Sequence, residues 1–247
     1  MFRKTLLVGL TAFALALLVS AAYAAPRMQL SETTYNFGYA PQNSRISHIF
    51  WIKSTGDDTL LITKVIPGCG CTKAPLEKSE LAPGDSTRLQ ILFKTGHYKN
   101  HVAKAPKIES NASDIPNNIR IESFVVARPD STFPLVISPY KLDISQFGEK
   151  TRDQMTFKVT NVSDKSLKVS VIDKELRKFD VELPKSVDAG ATIEGKLQLT
   201  DDAVLSEFES SLTIEVDDEM HSRFTIPVKR AVTTVSSSQT TKSESHN

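Results

Sequence analysis

Beyond residue 25 the apolar residues of this chain fall on alternate positions in short runs. In Ile46-Ser47-His48-Ile49-Phe50-Trp51-Ile52, positions 46, 48, 50 and 52 share one face of an extended strand, which leaves Trp51 on the other. In Met155-Thr156-Phe157-Lys158-Val159 the same alternation turns Thr156 and Lys158 outward. A strand that is apolar on one face belongs to a sheet with one buried side. Helical periodicity is nearly absent; Asp173 to Phe179 alone predicts a short helical turn.

The pattern occurs twice. The stretch from Phe50 to Ile62 aligns without a gap on that from Phe157 to Val169. Apolar matches fall at Phe50/Phe157, Ile52/Val159, Leu60/Leu167 and Ile62/Val169. Upstream, Tyr35-Asn36-Phe37-Gly38 has a counterpart in Ser145-Gln146-Phe147-Gly148. Downstream, Ala82-Pro83-Gly84-Asp85 matches Asp188-Ala189-Gly190-Ala191. An alternating strand then follows in each copy, carrying Leu89, Ile91 and Phe93 in the first and Ile193, Leu197 and Leu199 in the second. Short strands separated by turn signals predict an all-β chain of two tandem immunoglobulin-like β-sandwich domains.

Turn chemistry agrees. Pro83-Gly84 and Pro67-Gly68 each place proline second and glycine third, as a type II turn requires. The first sandwich is expected over residues 28–127 and the second over 135–231. Residues 128–134 contain two prolines and read as a semi-rigid linker. Residues 232–247, rich in Ser and Thr, read as a disordered tail.

Residues 1–24 read as a cleaved signal peptide. Arg3 and Lys4 form the basic start, Leu6 to Val19 is an uncharged apolar run, and Ala22-Tyr23-Ala24 fits small-x-small cleavage before Ala25. The run is shorter than the roughly 20 residues of a membrane span, and no later stretch is long enough. A secreted or periplasmic protein without a membrane span after cleavage is expected. Losing Arg3 and Lys4 takes the formal net charge from +1 to −1, which argues against nucleic acid as a partner. Two cysteines in the whole chain exclude a disulfide scaffold, so stability must come from packing.

Those two cysteines, Cys69 and Cys71, lie in Pro67-Gly68-Cys69-Gly70-Cys71-Thr72. On an extended strand both would face the same way. A disulfide between them requires a turn, which Gly70 permits. Three readings stay open: an inert pair packed under a loop, thiol or disulfide chemistry, and a soft metal. A zinc or copper site would need further ligands, and His97 and His101 are the candidates. Their i, i+4 spacing suits a helix, whereas the segment reads as a loop or hairpin. His48 is expected on the core side of its strand; His221 and His246 have no partner in view.

No hydrolase elbow, zinc-protease helix or phosphate loop occurs, so neither an enzyme nor a cofactor is expected. Asp57-Asp58, Asp201-Asp202 and Asp217-Asp218-Glu219 read as solvated turns. Asn111-Ala112-Ser113 and Asn161-Val162-Ser163 match the glycosylation sequon, a short motif that occurs often by chance. Trp51 is expected to make an internal contact or to meet a partner.

The series Tyr-x-Phe-Gly, Phe-x-Ile-x-Ser-x-Gly, Leu-x-Ile, Cys-Gly-Cys-Thr and Ala-Pro-Gly-Asp resembles a bacterial secreted domain-of-unknown-function family, DUF1573. The matching positions are Phe37-Gly38, Phe50, Gly56, Cys69-Gly70-Cys71-Thr72 and Pro83-Gly84. Ser54 stands where the family pattern has asparagine, and Asp85 where it has glutamate. The resemblance is close over residues 28–127 and weaker over 133–231, which lack the cysteines. It implies a relation to Hydin-type, major sperm protein and pilus-chaperone sandwiches, and it implies no activity.

The leading expectation is a non-catalytic binding or scaffold protein of the cell envelope with a protein partner. Sandwich loops and sheet edges are common docking surfaces. The alternative is thiol-disulfide or copper/zinc handling through Cys69 and Cys71.

Overall fold

The computed structural model describes residues 24–113, 118–172 and 178–233. The expected signal peptide, most of the expected turn at 173–179, most of the expected tail and His246 lie outside the described residues. Among the described residues the chain is all-β, with two single-turn 3₁₀ segments at Pro129–Ser131 and Asp201–Ala203.

The first half contributes β1 Met28–Leu30, β2 Thr34–Pro41, β3 Arg45–Ser54, β4 Leu60–Ile66, β5 Thr72–Lys73, β6 Glu80–Leu81, β7 Ser86–Lys94, β8 Asn100–Lys104, β9 Lys107–Ser110 and β10 Arg120–Val126. The second contributes β11 Leu135–Ser138, β12 Leu142–Asp143, β13 Gln146–Phe147, β14 Gln154–Asn161, β15 Leu167–Ile172, β16 Phe179–Glu182, β17 Ser186–Val187, β18 Thr192–Leu199, β19 Phe208–Val216, β20 Arg223–Arg230 and β21 Val232–Thr233. One four-stranded sheet runs β1-β3-β7-β5 and another β11-β14-β18-β16.

The alternation read from the sequence sets which face is buried. On β3, Ile46, His48, Phe50 and Ile52 point inward. Ile46, Phe50 and Ile52 meet Phe37, Leu60, Leu89 and Ile91 in the first core. On β14, Phe157 and Val159 point into the second core with Leu197, Ile214 and Ile226. Burying side chains of this size contributes about 1.5–3 kcal/mol each, the main stabilising term in a fold with so little covalent cross-linking.

The repeat holds at hydrogen-bond level around the β3 and β14 turns. Ser54 N donates to Asp85 O at 2.8 Å, and Asn161 N donates to Ala191 O at 2.9 Å. Asp85 N donates to Ala82 O, and Ala191 N to Asp188 O, each at 3.0 Å. Gly68 and Gly84 have φ of 80° and 88°, the conformation of the third position in a type II turn. Upstream the repeat fails. Phe37 is fully buried, while Phe147, its sequence counterpart, is 75% exposed.

The two sandwiches are fused. A third sheet runs β17-β15-β19-β20-β2-β10-β8 and so contains strands of both halves. Its seam is the parallel contact of β2 with β20 at Tyr39 and Phe224. Gly38 makes the close approach possible: its φ is +63°, and a Cβ there would stand 2.0 Å from Arg223 O. Thr225 Oγ1 donates to Phe37 O at 2.6 Å, and Tyr140 Oη donates to Tyr39 O at 2.8 Å. Residues 128–134 are themselves tied down, for Thr132 Oγ1 donates to Pro129 O and Leu135 O. Val126 packs in the second core, so the first half's last strand ends inside the second sandwich.

Candidate functional site

Two places gather the sequence-predicted residues. The first is the hairpin after β4. Gly68 carries the chain through its turn, and β5 then pairs with β7 through Thr72–Phe93 and Lys73–Leu92. Lys94 N donates to Cys71 O at 2.8 Å. This pins Cys71 beside the core, against which it packs. Cys69 and Cys71 are joined as a disulfide with Cα atoms 5.2 Å apart. Both are half-buried, and Gly70 between them faces open space.

The sulfurs have close polar neighbours. Thr72 Oγ1 lies 3.3 Å from Cys69 Sγ and 3.9 Å from Cys71 Sγ. The Tyr98 hydroxyl donates to Cys71 Sγ over 3.7 Å. Lys104 Nζ donates to Tyr98 Oη at 3.1 Å and stands 4.4 Å from the centre of the ring. Tyr98 rests on buried Phe93, with ring centres 6.0 Å apart.

The histidines do not join this group. His101 Nε2 lies 3.4 Å from Glu122 Oε2, across the β8–β10 pair. His97 belongs to the loop whose carbonyl oxygens accept from Gln42 Nε2. Among the described residues no three His, Cys, Asp or Glu side chains come together as metal ligands. The structure does not bring Cys69, Cys71, His97 and His101 together: the two sulfurs are tied to each other, and His101 is turned to a carboxylate. The missed residue was Tyr98, which sits between those two histidines in the sequence. A phenol with an ammonium six residues away carries no spacing signal, since the β8 hairpin brings them together.

The second place is a cleft of about 1140 Å³ between the sandwiches. One wall is the outward face of β3 and β7, with Ile49, Trp51, Arg88 and Leu92. The other is the start of β19, with Phe208. Ser211 Oγ donates to Ser47 O at 3.2 Å and Arg45 pairs with Glu209, so its floor is fixed. Trp51 is 36% exposed, with the Arg88 guanidinium 6.0 Å from its ring. Arg88 also forms a two-pronged pair with Glu77, at 2.6 and 2.8 Å. That pairing holds the Glu77 carboxyl below its usual range and the Arg88 guanidinium above its own. His48, core-facing as expected, stacks on Tyr35 at 3.5 Å and meets Glu32 at 2.8 Å.

Several remaining candidates make local contacts within the fold. Asp218 accepts from Ser222 N and Oγ, Asp217 from Lys168 N, and Asp202 from Lys178 and Thr200. Lys178 first, then Thr200, lowers the Asp202 carboxyl. Asn161 is fully buried with its amide donating to Lys165 O, Val187 O and Asp188 O. Asn111 clamps Leu61 N and Thr59 O. Arg230, unremarked in the sequence, is 2% exposed and donates to the carbonyls of Ile144, Arg152 and Val204.

Residues 28–125 match the family model described as "Protein of unknown function (DUF1573)". No curated protein matches the chain. Solved structures similar to it include a protein of unknown function from Porphyromonas gingivalis, at 12% identity and TM-score 0.34, covering 82% of this chain and 98% of that one. The E. coli chaperone DraB is similar at 11% identity and TM-score 0.31, over 82% and 98% of the two chains. The ASH / PapD-like domain 7 of human CEP192 is similar at 8% identity and TM-score 0.32, over 42% and 88%. The fold assignment rests on the strand pairing and cores above.

Proposed function

We propose that the protein is a non-catalytic binding protein of the cell envelope, and that it takes an extended segment of a partner protein into the cleft between its sandwiches. The observation that carries this reading is the cleft itself, walled by both halves and braced by Ser47–Ser211 and Arg45–Glu209. Its volume exceeds the roughly 300–1,000 Å³ of small-molecule sites. Its wall combines an exposed Trp51 with Arg88, residue types that dominate binding energy in protein interfaces. Because β19, in the shared sheet, is tied to β3 of the other wall through Ser211–Ser47 and Glu209–Arg45, little ordering cost falls on the protein when a partner binds.

Trp51 is the single tryptophan of the chain, so its emission reports the cleft. A photoreactive residue in place of Gln90, on the cleft wall, is expected to cross-link to one stretch of a partner polypeptide. The same residue at exposed Phe147 is expected not to. The captured stretch, made as a peptide, should shift Trp51 emission. Equal capture at both positions, or a peptide that leaves the emission unchanged, would end this reading.

The envelope location rests on residues 1–24 and on one contact. Ala25 N donates to Asp57 Oδ1 at 2.6 Å. Cleavage before Ala25 would turn that amide into an ammonium facing a carboxylate. N-terminal sequencing of the exported protein should begin at Ala25; an uncleaved chain contradicts the location.

A further inference from the structure

The donors around the Cys69–Cys71 disulfide serve no purpose in the binding reading. The two sulfurs also differ. Cys71 packs on the first core, is pinned by Lys94 N and is approached by the Tyr98 hydroxyl. Cys69 lies on the tip side, next to exposed Gly70, around which there is open space. A disulfide sulfur is a weak acceptor, whereas a thiolate is a charged one and forms hydrogen bonds of about twice the strength. A thiolate on Cys71 would thus gain most from the Tyr98 hydroxyl, itself polarised by the Lys104 ammonium at 3.1 Å. In thiol exchange the better-stabilised thiolate is the better leaving group.

We propose that this disulfide is a thiol-exchange site, attacked by an incoming thiolate at Cys69 Sγ and opened with Cys71 Sγ as the leaving thiolate. The proposal does not rest on the cleft reading. The electron pair of the incoming sulfur forms a new S–S bond to Cys69. The Cys69–Cys71 bond breaks and its pair leaves on Cys71, where the Tyr98 hydroxyl donates to it; the Thr72 hydroxyl lies nearer Cys69 Sγ, at 3.3 Å against 3.9 Å, and does not favour Cys71. A second substrate thiolate attacks the incoming sulfur and releases Cys69 as a thiolate. Two substrate thiols thereby lose two electrons and become a disulfide. The protein gains those electrons as two thiolates, which take up the two protons the substrate thiols released. The substrate class is a dithiol of a polypeptide or a pair of small thiols. Tyr98 and Thr72 touch the reacting sulfurs; Lys104 is a positioning residue that acts through Tyr98.

The test uses the oxidised full-length mature protein and reduced glutathione, quenched in acid, alkylated and mapped by peptide mass. The glutathione adduct is expected on Cys69 and the alkyl group on Cys71. Tyr98→Phe should slow opening about tenfold, the size of one hydrogen bond to a charged group. Lys104→Met should raise the pH midpoint for Cys71 alkylation in the reduced protein, which a merely structural lysine would leave in place. Thermal melting of both variants checks that they fold, and each is read independently of the other. A reduced two-cysteine peptide run in parallel separates the sources: faster oxidation of the peptide assigns a polypeptide dithiol, and faster reaction of glutathione assigns a small thiol. An adduct on Cys71 overturns the proposal. So does an unchanged rate in Tyr98→Phe together with an unchanged midpoint in Lys104→Met.

Discussion

The turn after β3 and the turn after β14 perform one task with different chemistry. Both are latched by the same backbone bond, from Ser54 N to Asp85 O in one and from Asn161 N to Ala191 O in the other. In the second sandwich the Asn161 amide is shared among the carbonyls of Lys165, Val187 and Asp188, and its Oδ1 accepts from Ser163 N. In the first, Ser54 is too short to reach them, and its hydroxyl is buried without a partner among the described residues. The second difference lies upstream. Phe37 fills the first core, whereas Phe147 points to solvent and the buried Arg230 ties up the carbonyls of Ile144, Arg152 and Val204. A repeat in sequence therefore conserves backbone latches more faithfully than it conserves what fills the space between them.

Substitutions at the paired positions measure this directly. Phe37→Ala should lower unfolding free energy by about 3–5 kcal/mol, whereas Phe147→Ala should change it by less than about 0.5 kcal/mol. Chemical denaturation of the two variants checks the contrast, and equal effects would restore Phe147 to a core role. Asn161→Ala should cost about 2 kcal/mol, because it removes the fully buried amide that ties the turn together and leaves the buried Val187 carbonyl without that donor. The same measurement applies, and a cost near zero would show that the backbone bond suffices in both copies.

The joint between the copies has its own signature in pH. Burial holds the Tyr140 phenol well above its ordinary value, while its hydroxyl donates to Tyr39 O. A raised folded value means that the contribution is complete below the unfolded value, about 10, and is lost as pH rises towards the folded one. Stability should fall above about pH 10 by up to about 1.4 kcal/mol per unit from this group. Tyr140→Phe should show a shallower fall over the same range, and identical slopes would remove Tyr140 from the account. The smallest effect sharpens the turn comparison. Ser54→Asn should stabilise the first sandwich by about 1 kcal/mol if the longer side chain reaches the equivalent carbonyls, as a rise in melting midpoint would show.

Much of the architecture was legible in the sequence because it is local. Alternation on β3 and β14 identified their buried faces, and Pro-Gly pairs announced turns at Gly68 and Gly84 with the expected positive φ. His48 was read onto the core side correctly. The match of Phe37 with Phe147 misled, since a shared Phe-Gly pair does not say which way a ring turns once a neighbouring arginine takes the interior. Cys69, Cys71, His97 and His101 do not converge for a related reason: spacing in a hairpin says little about which side chains meet.

What the sequence determined by itself was the strand pattern, the repeat, the turns and the one place where sulfur chemistry is possible. Each of these follows from side-chain period and backbone preference within a few residues. What only the tertiary structure decided was the fusion of β2 to β20, the cleft beside Trp51, the burial of Arg230 and the Tyr98–Lys104 pair at Cys71. Those contacts join residues far apart in the chain. Their formation depends on how two cores and a shared sheet close together, which no local pattern encodes.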